Sequence, residues 1–427
     1  MFPQKFLNLA RGRGRGRASD DRRVHWLRRE GCATMKKKSR VAKKVKKTTK
    51  KLEGDNNKSL YLCSLEHHEG DWVAYVVRAI KVSDLLSSSS DDDELQLRQV
   101  AYKAGVDLPG SVSCGVFGSQ ILFAGGLKPS VPGGIGAVTS KEAVWNRGVY
   151  AFETDPNKRE QDDDIITKMD ASLLEAKLYP LTVELGGKLY TISRRRVGDP
   201  SQFEVFDPKV GSWLALPQPP FFDFNSPYCI YAPFAYAIAG TKMFVSHDKC
   251  PVFCFDVAHP NGEWRLVPTM CRGGPFPFFG KALVLDLPAD DRKKIMFTYS
   301  AYRSTRLRVY LMSLDDNQES ITQIGCLKPP MWPCEMGAAA ASDLVHLGGQ
   351  KACIVITHFI LPPGEGPINE PGTHKTRGVA LPFQFEFDST KDKKNCFTLQ
   401  FMPPRIFKYR TNPSVYPNPE RVGCFAL

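Results

Sequence analysis

An all-β fold is predicted by three observations on the sequence. From Leu60 onward, short apolar runs alternate with Gly, Pro, Asn and Asp, and long helical periodicity is nearly absent. An apolar run, a two-residue turn with glycine and a second apolar run recur as a unit. Each unit continues to a third apolar run that ends in an acidic residue, and these acids recur at spacings of 54, 49, 59 and 73 residues.

This repeat predicts one four-stranded sheet per unit and, from its length, a β-propeller. The turns are Gly118-Ser119, Gly186-Gly187, Gly240-Thr241 and Gly348-Gly349, and the acids are Glu153, Asp207, Asp256, Asp315 and Asp388. A sheet that is apolar on both faces must be covered on both, and stacking sheets around an axis achieves this. A two-sheet sandwich with strands of similar length is the alternative.

Six blades are expected, closed by pairing of the chain ends. Five units begin near residues 113, 180, 233, 278 and 337. Residues 60–110 supply a second, third and fourth strand at 60–66, 72–80 and 95–101, but no first strand. The run "RVGCFAL" at 421–427 resembles the first strand "SCGVFGS" at 113–119. We therefore expect residues 421–427 to be the inner strand of the first blade, which would remove its open edge.

A basic N-terminal tail is expected to be disordered, so that residues 1–58 form the tail and 59–427 the propeller. Residues 1–60 hold 20 Lys and Arg against 5 Asp and Glu, whereas the whole chain carries +13, so the remainder is nearly neutral. The lysine run with Lys43, Lys44, Lys46 and Lys47 is a candidate nuclear-import signal. This favours the nucleus over the cytoplasm, with organellar targeting left open.

The tail also carries "RGRGRGR", which predicts possible nucleic-acid binding through residues 1–58.

Twelve cysteines have no paired spacing, and Cys63, Cys254 and Cys353 lie in apolar runs, which predicts reduced, buried thiols. No apolar stretch is long enough to span a membrane, and no membrane partner is expected.

Catalysis, metal and cofactors are not predicted. The segment "HDKCPVFC" at 247–254 resembles a zinc site, but no fourth ligand is nearby and Cys254 falls within a strand. The pair Gly186-Gly187 is followed by a strand and not a helix, so it reads as a hairpin turn rather than a phosphate loop. Residues 165–178 are the one stretch that admits a helix.

The repeat resembles the kelch repeats of plant galactose-oxidase-type propeller proteins. The second strand "ILFAGG" at 121–126 ends in Gly125-Gly126, an aromatic such as Phe206 lies on the third strand, and Trp213 and Trp264 lie on fourth strands. The resemblance covers residues 60–427 and implies a propeller. The glycine pair is replaced elsewhere, for example by Ser193-Arg194, and this departure leaves the partner undefined.

One face of the ring is expected to bind an unidentified protein. Links between second and third strands and links that enter the next blade open on the same face, and they are rich in Pro, aromatics and Arg. The candidate contacts are Arg194, Arg195, Arg196, Phe221, Phe222, Arg272, Phe276 and Trp332. The interpretation is a non-catalytic protein-binding propeller. The alternatives are a nucleic-acid-associated protein acting through its tail and an enzyme with a site at the channel mouth.

Overall fold

The computed structural model describes part of the chain, and all of that part lies within the unit Gly54–Leu427. The described residues are 58–68, 72–87, 95–128, 144–158, 166–194, 201–222, 234–247, 250–259, 262–287, 290–300, 304–315, 318–330, 339–359, 375–388, 390–391, 396–410 and 420–427. The expectations for the tail, including Lys43, Lys44, Lys46 and Lys47, fall outside them. Within these ranges no helix has the length and apolar character needed to cross a membrane.

Blades 1 and 2 come first along the chain. Blade 1 contains β1 (Ser59–His67), β2 (Val73–Lys81) and β4 (Arg98–Gly105), with helix α1 (Val82–Leu86) and the short strand β3 (Leu95–Gln96) between the last two. Blade 2 contains β5 (Ser113–Phe117), β6 (Gln120–Ala124), β9 (Val149–Glu153) and β10 (Ile166–Lys168). A small hairpin, β7 (Leu127–Lys128) with β8 (Val144–Trp145), lies between β6 and β9.

Blades 3 and 4 are simple meanders with one addition. Blade 3 contains β11 (Leu181–Leu185), β12 (Lys188–Ile192), β13 (Phe203–Asp207) and β14 (Ser212–Ala215). Blade 4 contains β15 (Phe234–Ala239), β16 (Lys242–His247), β17 (Phe253–Asp256) and β18 (Trp264–Leu266). A fifth strand, β19 (Gly280–Lys281), pairs in parallel with the inner strand β15. The two 3₁₀ turns, Pro220–Phe222 and Met270–Gly273, follow β14 and β18.

Blades 5 and 6 have the longest strands. Blade 5 contains β20 (Leu283–Leu287), β21 (Asp290–Ser300), β22 (Ser304–Ser313) and β23 (Ser320–Leu327). Blade 6 contains β24 (Ala339–Gly348), β25 (Lys351–Phe359) and β26 (Lys375–Phe387), which pairs with both β27 (Phe397–Phe401) and β28 (Arg405–Arg410). The inner strands of blades 2 to 6 begin within a few residues of the positions expected from the repeat.

The last strand closes the ring, as the sequence predicts. Strand β29 (Glu420–Ala426) pairs antiparallel with β1 and supplies the inner strand of blade 1. Its neighbours on the inner circle are β5 of blade 2 and β24 of blade 6. The six-bladed β-propeller is therefore confirmed.

The core is divided among the junctions between blades. Six hydrophobic clusters form within the described residues, and each lies between two consecutive blades. In β6, Ile121 and Phe123 pack toward blade 1, whereas Leu122 and Ala124 pack toward blade 3. Because successive side chains of a strand point to opposite faces, a blade covered on both sides needs an unbroken apolar run. This explains the absence of an alternating polar pattern in the strands.

The ring has two faces with different chain geometry. We call the face where inner strands begin the loop face; the links between second and third strands and the links that enter blades open there. The opposite turn face carries tight hairpins such as Gly186-Gly187, where both glycines have positive φ and Leu185 pairs with Lys188. Turns of this kind suit glycine because it adopts positive φ without steric cost.

Four of the five recurring acids have a structural role at the turn face. The Asp207 carboxylate accepts the Lys209 backbone N–H at 3.0 Å, and Asp388 accepts that of Thr390 at 3.0 Å. Glu153 and Asp256 accept the N–H two residues ahead in the same way. The recurring acid therefore fixes the turn that leads to the fourth strand.

Two strand assignments differ from the sequence prediction. The fourth strand of blade 1 is β4, whereas β3, taken from the same predicted run, pairs in parallel with β28 of blade 6. Of the stretch 165–178, which the sequence admits as a helix, residues 166–178 form strand β10 and an irregular segment instead. The reason is that the Glu204 carboxylate of β13 accepts the backbone N–H groups of Leu174 and Glu175, which a helix would have used internally.

Two glycines should respond very differently to substitution by alanine. Gly126 has φ +90°, and an added Cβ would lie 2.3 Å from the Gly110 carbonyl oxygen, whereas a Cβ on Gly187 would meet nothing within 4 Å. We expect Gly126→Ala to destabilise by about 3 kcal/mol or more, and Gly187→Ala by only about 1 kcal/mol, the cost of positive φ. Urea unfolding measures both; equal losses would contradict the close approach seen at Gly126.

Candidate functional site

The central channel opens on the loop face as a cavity lined by the inner strands of five blades and by Tyr299 from the second strand of blade 5. Its volume is about 290 Å³. The charged or hydroxylated residues with long side chains on its wall are Arg194, Tyr236, Lys281, Tyr299 and Asp343. A second cavity of about 290 Å³ continues toward the turn face and shares Lys281 with the first. Lys281 therefore stands between the two halves of the channel.

Arg194 reaches the channel mouth because the chain at the end of β12 differs from that in blade 2. In blade 2 the residue equivalent to Arg194 is Gly126, which has positive φ, and a Cβ there would lie 2.3 Å from the Gly110 carbonyl oxygen. In blade 3, Ser193 is buried, and the Arg194 N–H approaches the Leu178 carbonyl oxygen at 3.4 Å. Neither residue adopts positive φ. The arginine side chain can therefore occupy the mouth, where a glycine would place nothing.

Lys281 and Tyr236 are neighbours on adjacent strands. The register of the parallel pair β15–β19 sets Tyr236 opposite Lys281, and the Ala282 N–H donates to the Tyr236 carbonyl oxygen at 2.9 Å. Strand β19 lies on the channel side of β15, so it covers the inner edge of blade 4. The link that enters blade 5 thus carries a lysine into the channel.

The channel walls shift the pKa values of both residues. Lys281 is exposed to solvent within the channel, and partial desolvation by the surrounding walls lowers the pKa of its ammonium group, whereas Asp343 opposes the shift. Desolvation raises the pKa of the Tyr236 hydroxyl, with Arg194 lowering it and Asp343 raising it. The Lys281 Nζ atom lies 5.9 Å from the Phe425 ring centroid, a cation–π distance. The mouth therefore combines two cations, one carboxylate and aromatic walls.

The predicted contact residues divide into exposed arginines and buried aromatics. Arg194 and Arg272 are exposed on the loop face. Phe221, Phe222 and Phe276 are 0%, 4% and 3% exposed and pack in the clusters on either side of blade 4. These three rings stabilise the junctions and do not present surface anchors, because the links that carry them fold into the gaps between blades. Arg195, Arg196 and Trp332 lie outside the described residues.

The aromatic positions of the repeat are packing positions. Phe206 and Trp213 are buried between blades 2 and 3, with ring centroids 5.5 Å apart. Trp264 packs on Phe255 at 5.2 Å, and its indole N–H donates to the Pro217 carbonyl oxygen at 3.0 Å. The third and fourth strands are therefore held together by the same aromatic pair in two successive blades.

Cysteines and histidines have no arrangement for metal binding within the residues that the structure describes. Cys63, Cys254 and Cys353 are buried free thiols. Burial raises the pKa of Cys254 to about 12, so this thiol stays protonated at neutral pH. His247 stacks on Phe221, with ring centroids 6.0 Å apart.

Backbone strain is concentrated on the loop face. Among the described non-glycine residues, those with positive φ are Ser111, Tyr179, Cys271 and Arg272. Each lies in a link that enters a blade. Tyr179 also donates its N–H to the Ser111 carbonyl oxygen at 3.0 Å, which joins two of these links. Glycine accounts for the positive φ angles in the hairpins of the turn face.

A family model described as a protein of unknown function, DUF1668, matches residues 166–396, which is more than half of the chain. The chain belongs to the DUF1668 family. The DUF1668 match runs from the outer strand of blade 2 to Cys396, the residue before β27. It therefore includes Arg194, Tyr236, Lys281 and Asp343, but not the closing strand β29.

No curated protein matches this DUF1668 chain. Solved structures with a similar course include YjhT, with 12% identity, a TM-score of 0.38 and coverage of 80% of this chain and 97% of that one. A putative 6-phosphogluconolactonase from Bacteroides uniformis has 9% identity, a TM-score of 0.39 and coverage of 87% and 100%. The β-propeller domain of Cps50 (Swd1) from Myceliophteria thermophila has 9% identity, a TM-score of 0.30 and coverage of 69% and 87%. Likenesses this distant carry no argument about function.

Sequence reasoning missed Tyr236, Lys281 and Asp343. They lie on three different strands and have no shared motif, so their meeting depends on ring closure. A weak signal was present at Lys281, because it interrupts the aromatic and apolar run from Phe276 to Leu285. Arg194 of this DUF1668 chain was identified, but as a surface contact rather than a residue of the channel mouth.

Proposed function

We propose that this chain is a non-catalytic protein-binding propeller that uses its loop face. The observation that carries the proposal is the placement of the strained residues Ser111, Tyr179, Cys271 and Arg272 in links on that one face. A non-glycine residue in the left-handed region costs about 1–2 kcal/mol, and such strain collects where function fixes the backbone.

The surface chemistry of the loop face supports the same proposal. Arg272 and Arg194 are exposed there, and arginine is enriched in protein interfaces because its planar group makes several directed hydrogen bonds. Strand β25 ends and strand β26 begins on this face. A face with strained turns and exposed arginines is suited to a partner with acidic groups.

The kelch character of the repeat is part of this proposal. Gly125 and Gly126 end a second strand with φ +76° and +90°, and Trp213 packs on Phe206 of the preceding strand. These features support a degenerate kelch propeller in which the other blades have lost the glycine pair. Kelch-type rings with varied links would then present a face specific to each protein.

Proximity labelling in cells tests the proposal with charge reversal on each face. The full chain is fused to a biotin ligase as wild type, Arg272→Glu and Lys209→Glu. Lys209 is an exposed residue in a turn-face hairpin and is the matched control. We expect a discrete set of labelled proteins that falls at least about tenfold for Arg272→Glu and persists for Lys209→Glu, as a lost charged hydrogen bond implies. An identical set for all three chains would contradict the loop-face assignment.

A further inference from the structure

Lys281 lies on the channel wall without a counter-ion, unlike several other cations in the described part of the chain. Lys177 pairs with Glu204, and Arg78 pairs with Glu66 at 2.6 Å. Arg265 and Lys242 both pair with the carboxylate of Glu319. By contrast, Lys281 has no ion pair and no side-chain hydrogen bond with any part of the chain that the structure describes.

The Arg194 guanidinium lines the same cavity as Lys281. Among the described residues its side chain also makes no hydrogen bond or ion pair. Both side chains are exposed to the solvent of the channel, so neither needs a buried counter-ion. Two cations that line one concave cavity and bond to no carboxylate of the described chain leave their donors available to an anion.

We propose that the channel mouth binds a carboxylate group through Lys281 and Arg194, with the Tyr236 hydroxyl as a third donor. Tyr236 faces Lys281 across the β15–β19 pair, so the two can contact the same oxygen atoms. Charge favours carboxylate over phosphate, because Asp343, which lines the same cavity, reduces the described charge of the mouth to about that of one cation.

This inference goes beyond the protein-binding proposal, because a small free acid would satisfy it without any protein partner. A cavity of about 290 Å³ holds a compact ligand of sugar-acid size, and it lies at the lower end of the range for small-molecule sites. The same carboxylate chemistry is also available from a glutamate side chain of a partner that inserts into the mouth. The test below separates these two sources.

Saturation-transfer NMR titrations on the full chain at constant ionic strength test the carboxylate site. The free-acid arm compares gluconate with sorbitol, its uncharged analogue. Inorganic phosphate, which has no carbon-bound protons to observe, is added as a competitor of gluconate. The peptide arm compares acetyl-Gly-Glu-Gly-amide with acetyl-Gly-Gln-Gly-amide. We expect saturable binding of gluconate in the millimolar range or tighter, and no matching signal from sorbitol. Binding of the glutamate peptide with no binding of gluconate would assign the anion to a protein side chain.

The variants are Lys281→Met, Tyr236→Phe and the turn-face control Lys209→Met. We expect Lys281→Met to weaken binding at least about tenfold, Tyr236→Phe to weaken it several-fold, and Lys209→Met to leave it unchanged. Lys281→Met should melt near the wild-type temperature, because the Lys281 side chain is exposed in the channel and makes no ion pair with the described residues. If Lys281→Met fails to fold, Tyr236→Phe carries the test, because it removes only one hydroxyl.

Several results would overturn the proposal. They are no saturable binding of either carboxylate probe to the wild type, equal binding of gluconate and sorbitol, tighter binding of phosphate than of gluconate, and unchanged binding in folded Lys281→Met. The proximity labelling of Arg272→Glu does not depend on any of these results, so the two proposals can fail separately.

Discussion

Removal of residues 420–427 is expected to abolish cooperative unfolding of the propeller. Strand β29 pairs with β1 from Leu60 to Leu65, and Leu427 and Ser59 exchange backbone hydrogen bonds of 2.8 and 3.0 Å. Cys424 is buried in the junction with blade 6, and Phe425 packs in the junction with blade 2. The truncation would open both junctions and expose the edge of β1, at a cost of more than about 5 kcal/mol, comparable to the stability of a whole domain.

Circular dichroism and calorimetric melting measure this effect. A permuted chain that carries residues 420–427 before Lys58 is the matched control. Because Leu427 already lies beside Ser59, a short glycine linker suffices to join them. The permuted chain should recover the wild-type transition, whereas a truncated chain that melts like the wild type would show that β29 is dispensable.

Substitution of Glu204 by leucine should cause the largest loss of stability from a single charge. Lys177 and Glu204 form an ion pair in which both side chains are 0% exposed. Burial lowers the pKa of Lys177, and Glu204 opposes that shift. Glu204→Leu leaves the ammonium group without its partner and frees the backbone N–H groups of Leu174 and Glu175, so we expect a loss of about 3–5 kcal/mol.

The double variant Lys177→Met with Glu204→Leu separates charge from hydrogen bonding. It should recover part of the loss, because no buried charge remains, but not all of it, because the two N–H groups stay unpaired. Arg292→Ala is the surface control: its pair with Asp315 spans 3.8 Å and is exposed, so its loss should cost less than about 1 kcal/mol. Urea unfolding that gives similar losses for Glu204→Leu and Arg292→Ala would contradict the role of the buried pair.

The fold could be predicted from the sequence because the repeat is encoded locally. Hairpin glycines such as Gly186 need positive φ, and acids such as Asp207 cap the next turn, so both recur where the geometry recurs. Ring closure could also be predicted, because a blade without an inner strand and an inner strand without a blade are both visible in the sequence. These features depend on a few neighbouring residues.

The candidate site depends on distant residues and could be predicted only in part. Phe221 and Phe222 lie in a Pro-rich link, and the sequence does not distinguish a ring that projects outward from one that fills a gap between blades. Tyr236 and Lys281 meet because β19 turns back along β15, and two residues are too few to signal a strand. Arg194 can be singled out in the sequence because it replaces a glycine of the repeat. The direction of its side chain, however, depends on the contact of its backbone with Leu178, in the link that enters blade 3.

The pairing of β1 with β29 also determines when during synthesis the protein can become complete. Strand β29 emerges from the ribosome after all the other described strands, so β1, β2 and β4 must wait for their inner partner while blades 2 to 6 are being made. During that interval the edge of β1 is open to any other extended chain. Blade 1 is therefore the part of the nascent protein that most needs chaperones to cover its open edge.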